Sequence, residues 1–126
     1  MTVASPFDAS GMTRRFALGG LAWLGMSTAW AAFPERPVKL VVPFSPGGGT
    51  DSITRALAVG MAQALGHAVV VDNKPGAGTV IGSDAVAKST PDGHTLVMAT
   101  FAHAVNSSLI SKLPYDTERA FAAVGM

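Results

Sequence analysis

The feature that most constrains the fold is a strand–loop–helix pattern that occurs twice in succession. The apolar run 38–44, VKLVVPF, leads into the glycine-rich loop 45–51, after which apolar residues recur every fourth position. The run 68–72, AVVVD, leads into a second glycine-rich loop at 73–78 and an apolar stretch at 80–87. Short β-branched runs predict buried strands, and a four-residue period predicts an amphipathic helix. The chain therefore contains two consecutive strand–helix units.

Local signals place the ends of these elements. Thr50 or Asp51 is expected as the N-cap residue of the first helix, and Gly66 ends it, since glycine favours helix C-termini. A turn at 89–93 precedes a third predicted strand at 95–100. The apolar face of the first helix is formed by Ile53, Leu57, Met61 and Leu65.

The last part of the chain gives weaker signals. Asn106 is a residue type that caps helices and predicts a short helix over 107–112. The segment 113–116, LPYD, ends that helix. The apolar segment 121–124 is typical of the opening of a fourth strand.

Alternating strands and helices predict an α/β fold, a parallel sheet with helices on both faces. In such a sheet the loops that follow the strands emerge at one edge, where ligands bind. The loops 45–51, 73–79 and 100–106 are therefore expected to converge. His103 belongs to this edge, whereas the other two histidines lie near the starts of strands, at the opposite edge.

Two of these loops are suited to bind an anion. The glycines at 47–49 and 76–78 leave backbone N–H groups unobstructed, and a helix N-terminus adds partial positive charge. The alternative for either loop alone is that its glycines serve only a tight turn. Asp51 is expected to cap the first helix, or else to accept a hydrogen bond from a ligand amine or hydroxyl group.

A nucleotide site is the competing interpretation of the same glycines. A phosphate-binding loop needs a lysine before the Ser or Thr at the helix start, but here Gly49 is followed directly by Thr50 and Asp51. Gly76, Gly78 and Gly82 approximate a dinucleotide fingerprint. No acidic residue ends a strand about 20 positions later, as that fingerprint requires. A small nucleotide-binding domain is therefore the less favoured alternative.

Composition argues against catalysis, metal binding and nucleic-acid binding. The other two histidines are expected at the opposite edge, so neither joins His103 in a metal cluster, and the chain has no cysteine. The Gly-x-Ser-x-Gly motif of hydrolases is absent. Residues 32–126 contain seven basic and seven acidic residues, so no basic patch is available for phosphates. No catalytic residue, metal or cofactor is expected.

The N-terminus has the layout of an export signal. Arg14 and Arg15 precede the uncharged apolar run 16–26, and the small residues Ala29 and Ala31 follow. We expect residues 1–31 to be a signal peptide, with Met12 as an alternative start and a loose twin-arginine match. A membrane anchor is the alternative, but the apolar run is shorter than the roughly 20 residues that a spanning helix needs.

Four motifs in order resemble those of one receptor family. They are VVPFSPGGGTD at 41–51, VVDNKPGAG at 70–78, PDGHTL at 91–96 and KLPYD at 112–116. The chain from about residue 33 to residue 124 closely resembles the Bug family, the extracytoplasmic substrate-binding receptors of tripartite tricarboxylate transporters.

The resemblance implies a two-lobed periplasmic binding protein that closes on a small carboxylate: a dicarboxylate, a tricarboxylate, an acidic amino acid or an aromatic acid. It implies a monomeric receptor in the periplasm, without a cofactor, that delivers its ligand to membrane permease subunits. By this analogy the ligand-binding residues are Ser45, Pro46, Gly47, Gly48, Gly49, Thr50, Asp51, Gly76, Ala77, Gly78, Thr79, Thr100, Phe101, Ala102 and His103.

The chain departs from the family in two respects. Phe101 and Ala102 stand where the family often has serine or threonine, and Phe101 favours an apolar or aromatic ligand. Family members are also longer, so residues 32–126 are expected to form part of the N-terminal lobe, the incomplete first lobe of a Venus-flytrap architecture. A truncated product that binds weakly, or a non-functional remnant, is the corresponding alternative.

Overall fold

The computed structural model describes residues 33–125, which form a small parallel sheet with three helices. The strands are β1 (Val38–Val42), β2 (Val69–Asn73) and β3 (Thr95–Val97). They are ordered β2-β1-β3 and both pairings are parallel. The β-branched run that predicted a buried strand therefore lies at the centre of the sheet.

Three helices follow the three strands. They are α1 (Gly49–Leu65), α2 (Val80–Ala87) and α3 (Phe101–Leu109), and a tight turn, Ala77–Thr79, precedes α2. Helix α1 packs on β1 and β2, and α2 packs on β1 and β3. The first connection leads from the central strand β1 to its neighbour β2 at one side of the sheet. The second connection leads back past β1 to β3 at the other side. Right-handed crossovers then put α1 and α2 on opposite faces, which confirms the predicted α/β class.

The core is formed mainly by the central strand. Its apolar members are Val38, Leu40, Val41, Val42, Ala58 and Val86. Helix α1 faces the sheet with Asp51, Thr54 and Ala58. Ile53 and Leu57, placed by sequence on the core face, are 63% and 47% exposed. That prediction is wrong because small side chains let α1 lie close to the sheet, leaving the larger ones outside.

Four predicted boundaries also need correction. The N-cap residue of α1 is Gly48, not Thr50 or Asp51, because the Asp51 carboxylate lies inside the first turn and accepts a hydrogen bond from the Gly47 N–H. Strand β3 ends at Val97 instead of residue 100. Helix α3 begins at Phe101, so Asn106 lies within it and not at its start. Residues 121–124 form no strand among the described residues.

The expected signal peptide, residues 1–31, and the alternative start Met12 lie outside the described residues. Within 33–125, none of the helices is long and apolar enough to cross a membrane.

Candidate functional site

The predicted ligand loops emerge at one edge of the sheet, the edge at which its three parallel strands end. We call this edge the carboxyl edge. The exposed members of the predicted site are Ser45, Pro46, Gly47, Gly48, Gly49, Gly76, Ala77, Gly78 and Phe101. The half-buried members are Thr50, Thr100, Ala102 and His103, and the buried ones are Asp51 and Thr79. The first loop follows the central strand, so it lies between the other two.

Each loop on the carboxyl edge passes into a helix whose N-terminus lacks a side-chain cap. The N-cap residues of α1, α2 and α3 are Gly48, Thr79 and Thr100, and none makes a side-chain capping bond. The first N–H groups of a helix have no acceptor within the helix and have a partial positive charge. At α2 the Val80 N–H already bonds to the Ala77 carbonyl, so the remaining N–H groups of the three ends are the ones that can donate to an anion without a lysine or arginine.

A buried carboxylate joins the first loop to the second. Asp51 Oδ2 accepts hydrogen bonds from the Gly47 N–H at 2.9 Å and from Arg55 Nε at 3.0 Å. Asp51 Oδ1 accepts one from Asn73 Nδ2 at 2.9 Å. The hydrogen bond from Arg55, followed by those from Gly47 and Asn73, holds the pKa of Asp51 well below its usual range. Both oxygens thus have partners within the protein, and the side chain connects the first loop to α1 and to the end of β2.

Asn73 completes this connection from the end of β2. Its Nδ2 also donates to the Phe44 carbonyl at 3.2 Å, and its Oδ1 accepts from Arg55 Nη2 at 3.0 Å. The Lys74 N–H bonds to the Val42 carbonyl at 2.8 Å and extends the pairing of the two strands. The beginnings of both glycine loops are therefore held at a defined separation.

A buried asparagine joins the second loop to helix α3. Asn106 Nδ2, from α3, donates to the Gly78 carbonyl at 2.7 Å and to Thr79 Oγ1 at 3.1 Å. His103, one turn earlier, has Nδ1 3.2 Å from Ser83 Oγ of α2. The second and third loops are therefore connected through side chains of α3.

The environment of His103 is that of a packed ring. It stacks parallel to Tyr115 at a centroid distance of 5.9 Å and meets Phe121 edge-on at 4.8 Å. Burial lowers the pKa of His103, so the neutral ring is favoured near neutral pH. This geometry suits a structural role.

Sequence reasoning missed Arg55 and Asn73 as supports of the site and misinterpreted Asn106 as a helix cap. The signal for Asn73 was present, since a polar residue ended an apolar strand immediately before a glycine loop. No local signal indicated that Asn106 would turn inward, because its partners are 27 and 28 positions earlier.

The carboxyl edge is an open surface in the described part of the chain. Two depressions, of about 360 and 390 Å³, lie elsewhere, one beside the end of α3 and one between α1 and β2. Neither contains a residue of the predicted site. No group of three or more potential metal ligands occurs within residues 33–125.

The sequence has clear relatives. Residues 53–126 match the family described as the tripartite tricarboxylate transporter family receptor. The protein BugT of Bordetella pertussis is 42% identical over 121 residues, which are 91% of this chain and 37% of BugT. Against the first curated relatives, the chain spans about a third of their length, 36% and 28%.

Solved structures with the same fold are also similar in sequence. A protein described as a periplasmic transporter is 45% identical with a TM-score of 0.66, over 68% of this chain and 29% of its own. MatC of Rhodopseudomonas palustris, solved with bound malate, is 39% identical with a TM-score of 0.67, over 71% of this chain and 31% of its own. A second R. palustris protein, solved with adipate, is 34% identical with a TM-score of 0.64, over 68% and 29%.

The family is described as a transporter receptor, and one of the solved structures as a periplasmic transporter. The family match covers more than half of the chain, and the parallel sheet agrees with the solved structures. The chain therefore belongs to the receptor family of the tripartite tricarboxylate transporters.

Proposed function

We propose that this chain forms one wall of a carboxylate-binding site in a periplasmic receptor that passes its ligand to a membrane permease of the tripartite type. The observation that carries the proposal is the presence of three uncapped helix N-termini at the carboxyl edge. Backbone N–H groups at helix ends are well suited to ionised carboxylates. On this proposal the chain binds its ligand and carries out no catalytic step.

The ligand class is supported by the chemistry of this wall. Its donors are neutral N–H groups, and its one buried acid, Asp51, is already bonded to Arg55, Gly47 and Asn73. No free acid of the predicted loops is therefore left to bind an amino group, which favours dicarboxylates and tricarboxylates over acidic amino acids. The bound malate of MatC and the adipate of its relative are ligands of this class.

The proposal includes export. The charged start and apolar run of residues 1–31 support a signal peptide with cleavage after Ala31, and residues 32–126 would then be the part of the first lobe that reaches the periplasm as a monomer. Mass spectrometry of the chain recovered from the periplasm of a Gram-negative host tests this directly. A product that begins at Ala32 is expected, and retention of the intact N-terminus in the membrane fraction would contradict it.

The binding experiment is an NMR titration with malate as the probe. The protein is expressed as the full chain, with its own N-terminal segment, and is then isolated. We expect weak, saturable shifts of the amides at 47–50, 76–80 and 101–103. Sodium chloride at matched ionic strength is the control. Shifts with ATP alone would favour the nucleotide alternative, and no shifts with any carboxylate would favour the non-functional remnant.

A further inference from the structure

The second ligand loop has an unusual backbone. Gly76, Ala77, Gly78 and Thr79 have φ angles of +131°, +45°, +62° and +82°. Glycine adopts such angles freely, but a residue with a Cβ atom is disfavoured there by roughly 5- to 30-fold. Thr79 is β-branched, which makes a positive φ rarer still. Two residues of this turn are therefore held in a conformation that their own side chains oppose.

One side chain outside the loop is placed to maintain this conformation. The Asn106 amide reaches both the Gly78 carbonyl, at 2.7 Å, and Thr79 Oγ1, at 3.1 Å. Asn106 is 7% exposed and Thr79 is 4% exposed, so water does not readily replace these bonds. A right-handed or extended turn would move both acceptors and leave buried polar groups without partners.

The conformation of this turn matters because it determines the positions of the backbone N–H groups. Successive residues in turn conformations of this kind form an anion-binding concavity, with their N–H groups on one side. Gly76, Ala77 and Gly78 are exposed, while the opposite side of the turn contacts Asn106. The Thr79 N–H bonds to the Gly76 carbonyl at 3.0 Å and closes the turn, so the donors available to a ligand belong to the three exposed residues 76–78.

We propose that Asn106 is a positioning residue: through its two hydrogen bonds it holds the turn 76–79 in the left-handed conformation that presents the N–H groups of residues 76–78 to the ligand. This inference rests on the proposed carboxylate site. It assigns to α3 a role in binding that requires no contact between Asn106 and the ligand.

The test is a double-mutant cycle on the full chain with malate as the probe. If Asn106→Ala leaves the turn in its binding conformation about a tenth of the time, the Kd for malate rises about tenfold. The effect of Ala77→Gly on Kd in the native chain is the reference for the cycle. In the Asn106→Ala background, Ala77→Gly removes one opposing Cβ atom and recovers about threefold or more of the loss.

Two further variants separate positioning from general stability. Asn106→Asp keeps the shape of the side chain but cannot donate to the Gly78 carbonyl when ionised, so it behaves like Asn106→Ala. Ser107→Ala, on the exposed side of α3, is the matched control and leaves Kd unchanged. The three-bond HN–Hα couplings of Ala77 and Thr79 report φ without any ligand, and they change only in the two Asn106 variants.

The outcomes are distinct. Unchanged couplings and Kd in Asn106→Ala, or equal effects of Ala77→Gly in both backgrounds, would overturn the inference while the carboxylate site stands. Loss of folding in both Asn106 variants would make the residue merely structural and would overturn it too. Absence of malate binding in the unmodified chain would overturn the proposed function itself, and with it any role of Asn106 in binding.

Discussion

At the scale of single residues, the carboxyl edge depends on polar side chains that the solvent does not reach. Asp51 is 3% exposed, and its ionised form is stabilised by Arg55, the Gly47 N–H and Asn73. A carboxylate whose pKa is lowered on folding contributes stability above its unfolded pKa, about 3.9, and loses this contribution as the pH falls below it. Acid should therefore weaken the connection between the first two loops.

We expect the melting temperature to fall between about pH 4 and about pH 2 more steeply in the native chain than in Asp51→Asn. The variant lacks the titrating carboxylate, so it should be less stable at neutral pH and less sensitive to acid. Differential scanning calorimetry across this range measures the effect, with exposed Glu35→Gln as the control. Parallel curves for native and Asp51→Asn chains would contradict the assigned cause.

Gly82 allows the close approach of α2 to the end of β1. A Cβ atom at this position would lie 2.8 Å from Pro43 Cβ and 2.9 Å from the Lys74 carbonyl oxygen. Gly82→Ala is expected to destabilise the fold by about 1–3 kcal/mol, as overpacking does. Gly60→Ala, within α1 and with nothing within 4 Å of the new Cβ atom, should instead stabilise it by about 0.5–1 kcal/mol. Urea unfolding of both variants measures the difference, and equal effects would show that the space around Gly82 is not limiting.

At the scale of elements, α1 faces the sheet with small side chains. Thr54 is fully buried and Ala58 is 6% exposed, whereas Ile53 lies mostly in solvent. Ala58→Leu should therefore cost about 1–3 kcal/mol through overpacking. Ile53→Ala should change the free energy of unfolding by no more than about 0.5 kcal/mol, as surface substitutions do. A larger loss for Ile53→Ala in urea unfolding would restore the orientation expected from periodicity.

The sequence predicted the strand–loop–helix order and the carboxyl edge because both follow from local patterns. The VKLVV run has few alternatives to a buried strand, and Gly66 adopts the positive φ, +68°, that its residue type suggested. The face of α1 that packs on the sheet was not predictable in the same way. Periodicity detects large apolar residues, but not the small residues that allow the helix to approach the sheet closely. The left-handed conformation of Thr79 runs against its own preference, and the Asn106 contact that supports it lies 27 positions away, where no local pattern detects it.

At the scale of the whole molecule, the described part of the chain has a modest core. Its buried apolar side chains come mostly from β1, with one each from α1 and α2. Domains of fewer than 100 residues bury a smaller share of their surface than larger ones and are marginally stable as a result. A ligand that bridges the loops should therefore have a measurable effect on the folding equilibrium.

We expect malate to raise the melting temperature of the full chain. At a free concentration of ten times Kd, binding to the folded state alone contributes about 1.4 kcal/mol. For a domain of this size that corresponds to a shift of about 6–11 °C. Malamide, which lacks the carboxylate charges, and sodium chloride at equal ionic strength are the controls. Because helix N-termini favour anions and not neutral amides, only malate should produce the shift, and an equal shift with malamide would exclude the uncapped helix ends as its origin.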